Sequence, residues 1–118
     1  MAKGYTQTCG IDFQETFAPV AKLNSIRVLL SLAINLDWPI LQLDVKNAFL
    51  NGDLEEEIFM DLPLGFNSGM NQEKACRLRK SLYGLKQSSR AWFGRFMKAM
   101  KQHGFLQAQV DHTLFHKK

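Results

Sequence analysis

Hydrophobic and polar positions change period several times along this chain, and each change predicts an element. Residues 1–23 hold no period: Gly4 and Gly10 punctuate a polar run, and Phe17-Ala18-Pro19-Val20 reads as an extended piece closing a loop. Packing against the rest of the chain must hold that segment, because its own propensity does not. From Asn24, a favourable N-cap, Ile26, Val28, Leu29, Leu30, Leu32, Ala33, Ile34 and Leu36 follow in close order. Arg27, Ser31 and Asn35 leave one narrow polar stripe, so the spacing predicts a helix buried on most sides and ended by Pro39. Leu41, Leu43 and Val45 then alternate with Gln42, Asp44 and Lys46, the period of a strand with one face inward. So short a connection predicts that the helix packs across the sheet carrying this strand.

Asn51-Gly52 is a turn signal. The acidic run Asp53, Glu55, Glu56 and Glu57 reads as a solvated turn rather than a metal cluster, since consecutive carboxylates cannot all face one ion. Ile58 to Leu62 predicts a short strand stopped by Pro63, residues 63–74 a loop, and Ala75 to Leu78 a second short strand. Ser88 or Ser89 is placed to cap a second helix whose Trp92, Phe93, Phe96, Met97 and Met100 form an apolar core face. Gly94, Lys98, Lys101 and Gln102 fall on its other side, and Gly104 is placed to end it. Phe105 to Gln109 and Thr113-Leu114-Phe115 read as brief extended pieces.

Charge changes this picture. Residues 1–73 carry 4 basic and 10 acidic side chains, whereas residues 74–118 carry 11 basic side chains and one acid, Asp111. That asymmetry predicts an acidic face suited to cations and a basic face suited to phosphates, or two charged surfaces without ligands. At 118 residues, with 46% hydrophobic positions, the chain is one domain or part of one and can bury roughly two-thirds of its unfolded surface. Two cysteines, Cys9 and Cys76, make no disulfide framework and imply reduced thiols in a cytoplasmic or nuclear setting. There is no secretory or membrane-spanning signal, no internal repeat and no Gly-rich phosphate loop. His103, His112 and His116 lack zinc spacing to either cysteine.

The candidate chemistry centres on Asp44. A carboxylate on the polar face, late in a strand, followed by a small residue and an aromatic, is one way to build a metal–nucleotide site; an edge strand with a solvated Asp is the other reading. Upstream of the second helix, Gly84 permits close backbone approach, and Lys80, Lys86 and Arg90 lie near a helix N-terminus, a favourable place for phosphate.

Five stretches in order, Ala2-Lys3-Gly4-Tyr5-Thr6-Gln7, Glu15-Thr16-Phe17-Ala18-Pro19-Val20-Ala21-Lys22, Gln42 through Gly52, Ser81-Leu82-Tyr83-Gly84-Leu85-Lys86-Gln87-Ser88 and Asp111-His112-Thr113-Leu114-Phe115, resemble the reverse transcriptase of copia-type retrotransposon polyproteins. The resemblance runs over nearly the whole chain. It implies an α+β fold, a partial fingers-palm region over residues 1–118 with two main helices packed on a short antiparallel sheet. The implied function is RNA-directed DNA polymerisation with an RNA template, a DNA primer and deoxynucleotides. In such an enzyme Asp44 corresponds to the first catalytic aspartate, a ligand to both Mg2+ ions of a two-metal mechanism, and Val45 lends a carbonyl to a metal. Asn47 and Ala48 offer backbone N–H groups to the triphosphate, and Phe49 is the ring beneath the sugar that excludes a 2′-hydroxyl. Tyr83 and Gly84 belong to the loop against the incoming nucleotide, and Lys80, Lys86 and Arg90 serve the nucleic-acid backbone.

Two departures bear on activity. Ser89 stands where the family usually has proline, a tolerable change at a helix start. No Asp-Asp pair occurs, although the family carries one on a strand-turn-strand shortly after the last of these motifs, and the upstream fingers strand, thumb, connection and ribonuclease H regions have no counterpart here. The expectation is therefore a chain inactive by itself, truncated before the paired-aspartate hairpin. Two alternatives stand beside it: a non-enzymatic basic module that holds nucleic acid through residues 74–118, and a chain that scarcely folds because the Asp44 strand keeps an unpaired apolar edge. Nothing in the sequence sets the oligomeric state.

Overall fold

The computed structural model describes residues 2–14, 16, 18–66 and 74–118. Glu15 and Phe17 of the second motif, and much of the predicted loop after Pro63, lie outside the described residues. Two α-helices and two small antiparallel pairs of strands make the fold α+β among these residues. In order they are α1 (Leu23–Asn35), β1 (Asp53–Asp61), β2 (Ala75–Lys80), α2 (Ser88–Gln102), β3 (Leu106–Gln107) and β4 (Phe115–His116), with 3-10 turns at Gly4–Thr6 and Ala48–Asn51.

The acidic run is a strand rather than a turn, which corrects the expectation. β1 pairs with β2 in the register Ile58 to Leu78, Phe59 to Arg77, Met60 to Cys76 and Asp61 to Ala75, then breaks, so that Asp53 meets Lys80. Consecutive acids are poor strand formers, but alternation places Leu54, Glu56, Ile58 and Met60 on the half-buried side and Asp53, Glu55 and Glu57 on the exposed side. Basic neighbours answer three of the four acids: Arg77 pairs with Glu57 at 3.0 Å, Arg95 with Asp53 at 3.1 Å, and Arg90 with Glu56. The charge asymmetry along the chain thus folds partly onto itself.

α2 behaves as its pattern predicts. Trp92 stacks on Phe96 at 5.3 Å, and Phe93 and Phe96 meet Phe115 of β4 at 6.4 and 5.6 Å, the latter edge-on. Gly104 adopts φ +82°, and Gly104 and Phe105 donate back to the carbonyls of Lys101 and Met100, a Schellman closure. The start differs from the expectation. Gln87 holds the N-cap position without a side-chain cap bond, and the Ser88 hydroxyl instead donates to the Leu82 carbonyl at 2.6 Å. Gly94 faces open space on α2, so Gly94→Ala is expected to raise stability by about 0.5–1 kcal/mol through helix propensity alone, read as a higher urea midpoint at unchanged slope.

α1 departs further. Its N-cap is Lys22, with Asn24 already inside the first turn, and it closes at left-handed Asp37, before Pro39, where Trp38 N–H donates to the Ala33 carbonyl at 2.9 Å. Only Ala33 is buried, while Ile26, Val28, Leu29, Leu30, Leu32 and Ile34 are all exposed. No strand is assigned over residues 40–45, and Leu41 and Leu43 stand 82% and 90% exposed. The predicted strand and the predicted packing of α1 across it are both corrected for one reason. A strand needs a ladder partner, and among the described residues none pairs with this stretch. The shape agrees: the radius of gyration is 18.9 Å, against about 13–14 Å for a compact chain of this length.

Candidate functional site

Asn47 turns the chain toward the site. It adopts φ +53°, a left-handed conformation that asparagine tolerates better than other side-chain-bearing residues. Its carbonyl accepts from Leu50 N–H at 3.0 Å and from the Asn51 amide at 3.3 Å, which closes the 3-10 turn Ala48–Asn51. The turn carries half-buried Phe49 against Tyr83, with ring centroids 5.0 Å apart and planes at 42°.

The loop before α2 is the other half of the site. Ser81 is fully buried; its N–H donates to the Gly52 carbonyl at 2.9 Å and its hydroxyl donates to the Phe49 carbonyl. Tyr83 accepts from Ala2 N–H at 2.9 Å, and Gly84, at φ +97°, lies so close to Gly4 that a Cβ there would strike its carbonyl. Gln7 donates to the fully buried Gln87 side chain at 3.0 Å and accepts from Lys86 N–H at 3.0 Å, while Gln87 also donates to the Asp12 carbonyl at 3.3 Å. The aperiodic N-terminal segment is therefore held by hydrogen bonds to residues 83–87, as its lack of propensity requires.

The predicted site residues divide. Asn47, Ala48 and Phe49 share one turn, and Tyr83 and Gly84 share the loop that meets it. Asp44 and Val45 precede that turn on the exposed stretch, and among the described residues no hydrogen bond or ion pair engages the Asp44 side chain. Lys80 ends β2 opposite Asp53, and Lys86 reaches over the Phe13 ring at 5.7 Å. Arg90 is directed at Glu56, half-buried between α2 and β1. A double-mutant cycle of Arg90→Met with Glu56→Gln is expected to return a coupling of about 1 kcal/mol, because both partners retain contact with water.

Among the described residues no three of His, Cys, Asp and Glu gather into a group able to hold a metal ion. Mg2+ needs near-octahedral oxygen donors, and one exposed carboxylate with a neighbouring carbonyl does not supply the set for a metal pair. Among the described residues, the donors around Asp44 do not fit that pair.

The sequence marks Gly52 as a turn position, Asp111 as the one acid of residues 74–118, and Ser81 and Gln87 as motif residues, but gives none of them a packing role. Asp111 is buried at the start of the β4 turn, where Oδ1 accepts from the Thr113 hydroxyl at 2.7 Å and its N–H at 2.9 Å, and Oδ2 from Lys22 N–H at 2.9 Å. Those donors, the Thr113 hydroxyl foremost, hold its carboxyl well below the usual range. It joins the C-terminal hairpin to Lys22, the N-cap of α1. No periodicity predicts burial at such residues, because their partners lie far away in the chain.

The whole chain, residues 1–118, matches the family described as reverse transcriptase (RNA-dependent DNA polymerase). It is 49% identical over 118 residues to the retrovirus-related Pol polyprotein from transposon TNT 1-94 of Nicotiana tabacum, covering all of this chain and 9% of that relative. It is 47% identical over 115 residues to the Pol polyprotein from transposon RE2 of Arabidopsis thaliana, covering 98% and 8%. The transposon Ty1-ER2 Gag-Pol polyprotein of Saccharomyces cerevisiae is 39% identical over 88 residues, covering 70% and 5%. No solved structure matches the chain. The chain thus spans less than a tenth of the length of these curated relatives. A match along every residue, with plant and yeast transposon polyproteins on the same side, places the chain in the reverse transcriptase family, in its copia-type retrotransposon branch.

Proposed function

We propose that this chain is the fingers-palm portion of an RNA-directed DNA polymerase from a retrotransposon polyprotein, and that it does not polymerise by itself. The observation that carries the reading is the Phe49–Tyr83 pair, set by a left-handed Asn47 just after the exposed carboxylate of Asp44. In the complete enzyme Phe49 would lie under the deoxyribose, Asn47 and Ala48 would offer N–H groups to the triphosphate, and Tyr83 and Gly84 would border the incoming nucleotide. Asp44 and Val45 would contribute one carboxylate and one carbonyl toward Mg2+. The other carboxylates of a two-metal site would come from elsewhere in a longer protein, as the much greater length of the relatives allows. Lys80 and Lys86 would meet template or primer phosphates; Arg90, committed to Glu56, would do so only after releasing it.

Primer extension with an RNA template, deoxynucleotides and Mg2+ tests this. The 118-residue chain is expected to incorporate nothing; template-dependent extension that Asp44→Asn abolishes would overturn the claim of inactivity. The alternative, a basic nucleic-acid-binding remnant, draws on the 11 basic side chains of residues 74–118. It loses ground where Arg77, Arg90 and Arg95 are paired with the carboxylates of β1. Tight, salt-sensitive binding of RNA without incorporation would restore it.

A further inference from the structure

Ser81 is a hydroxyl with no exposed surface, two residues before Tyr83. It donates from its side chain to the Phe49 carbonyl and from its backbone to the Gly52 carbonyl. Gly52 N–H also donates to the Phe49 carbonyl at 3.1 Å, so that oxygen takes two donors and the peptide after Phe49 is clamped in one orientation. The Phe49 ring meets Tyr83. One loop therefore holds Phe49 twice, by its backbone through Ser81 and by its ring through Tyr83. A buried hydroxyl pays a desolvation cost that an alanine of similar size would not, so its bond to Phe49 is where its contribution lies.

We infer that Ser81 is a positioning residue for Phe49. Its hydroxyl sets the height at which the ring rests on Tyr83 and thereby the floor of the sugar pocket. The inference rests on the reading of Phe49 as the ring beneath the sugar, but the positioning itself is separately measurable. A single 4-fluorophenylalanine at position 49 provides a fluorine resonance that senses the Tyr83 ring current, with Tyr83→Leu marking the position without that ring. Ser81→Ala is expected to move the resonance most of the way to that mark while far-UV circular dichroism stays unchanged. An unmoved resonance in folded Ser81→Ala overturns the inference. Should Ser81→Ala unfold, Ser81→Cys decides by the same criterion, because it keeps the volume and only a weak donor.

The consequence for selectivity is read in a reverse transcriptase whose matching residues, from the Nicotiana tabacum relative, are replaced by this chain. Phe49→Val is expected to admit ribonucleotides. Ser81→Ala is expected to lower the preference for deoxynucleotides roughly tenfold, through KM rather than kcat, the factor that one lost buried hydrogen bond carries. Relaxed selectivity in Phe49→Val with none in Ser81→Ala overturns the inference. Unchanged selectivity in Phe49→Val instead removes the sugar-pocket reading and leaves the fluorine result to stand for the positioning. A replacement that does not polymerise leaves the fluorine result as the deciding one.

Discussion

Gly52→Ala is expected to destabilise the chain by about 2–3 kcal/mol, lowering the melting temperature by roughly 10 °C. The reason is steric and not conformational. Gly52 sits at φ −73° and ψ 131°, ordinary extended backbone that alanine adopts without strain. A Cβ there, however, would stand 2.7 Å from both the Ser81 hydroxyl and the Trp92 nitrogen, and 3.0 Å from the Ala91 carbonyl carbon. Two of those three atoms are backbone in the first turns of α2, so no side chain can swing aside to make room. Gly52 is itself pinned by its bonds to Ser81 and Phe49, so the shift would pass directly to the Phe49 turn. Thermal unfolding followed by circular dichroism checks the prediction. A melting point within about 2 °C of the parent would mean that the junction between β1 and α2 is looser than described.

Acid is expected to weaken the anchor at Asp111, and Asp111→Asn to remove that sensitivity. The sign follows from the depressed folded value. The carboxylate form accepts from the Thr113 hydroxyl and N–H and from Lys22 N–H, whereas the unfolded chain titrates near the ordinary carboxylate value of about 4. The stabilisation is therefore complete above that value and is lost as pH falls from it toward the folded value. Asparagine keeps one acceptor but turns an amide group toward N–H donors, so the variant is expected to be less stable than the parent near neutrality. Urea midpoints of the two chains should converge as pH is lowered from about 6 toward about 2. A constant difference over that window would show that Asp111 acts by shape rather than by charge.

The sequence marks Gly52 as a turn and Asp111 as a lone acid, but the steric and hydrogen-bonding roles of both depend on residues distant in the chain. Asn47, Ala48, Phe49, Tyr83 and Gly84 stand out in the sequence because they fall in family motifs, and the turn and loop bring the Phe49 and Tyr83 rings into contact. Ser81 and Gln87 belong to the same motif, yet their polar types gave no reason to expect full burial. Burial of a serine or glutamine depends on finding distant partners, here the Phe49 carbonyl and the Gln7 amide, and local sequence does not record them. Arg90 illustrates the converse. Its position near a helix start suggested phosphate, but the alternation of β1 turns Glu56 inward to meet it.

By itself the sequence determined α2, from its aromatic stripe to its glycine stop, because a 3.6-residue period and a left-handed C-terminal glycine are local properties. It likewise determined where a strand pair would lie around Ile58 and Leu78, and which family the chain belongs to. Tertiary structure alone decided that the acidic run extends that strand, since Arg77, Arg90 and Arg95, brought from 20 or more residues away, pair with three of its four carboxylates. It also decided the fate of α1 and of residues 40–45. Their apolar pattern demands burial, but burial is a property of a pair of surfaces, and among the described residues the second surface is absent.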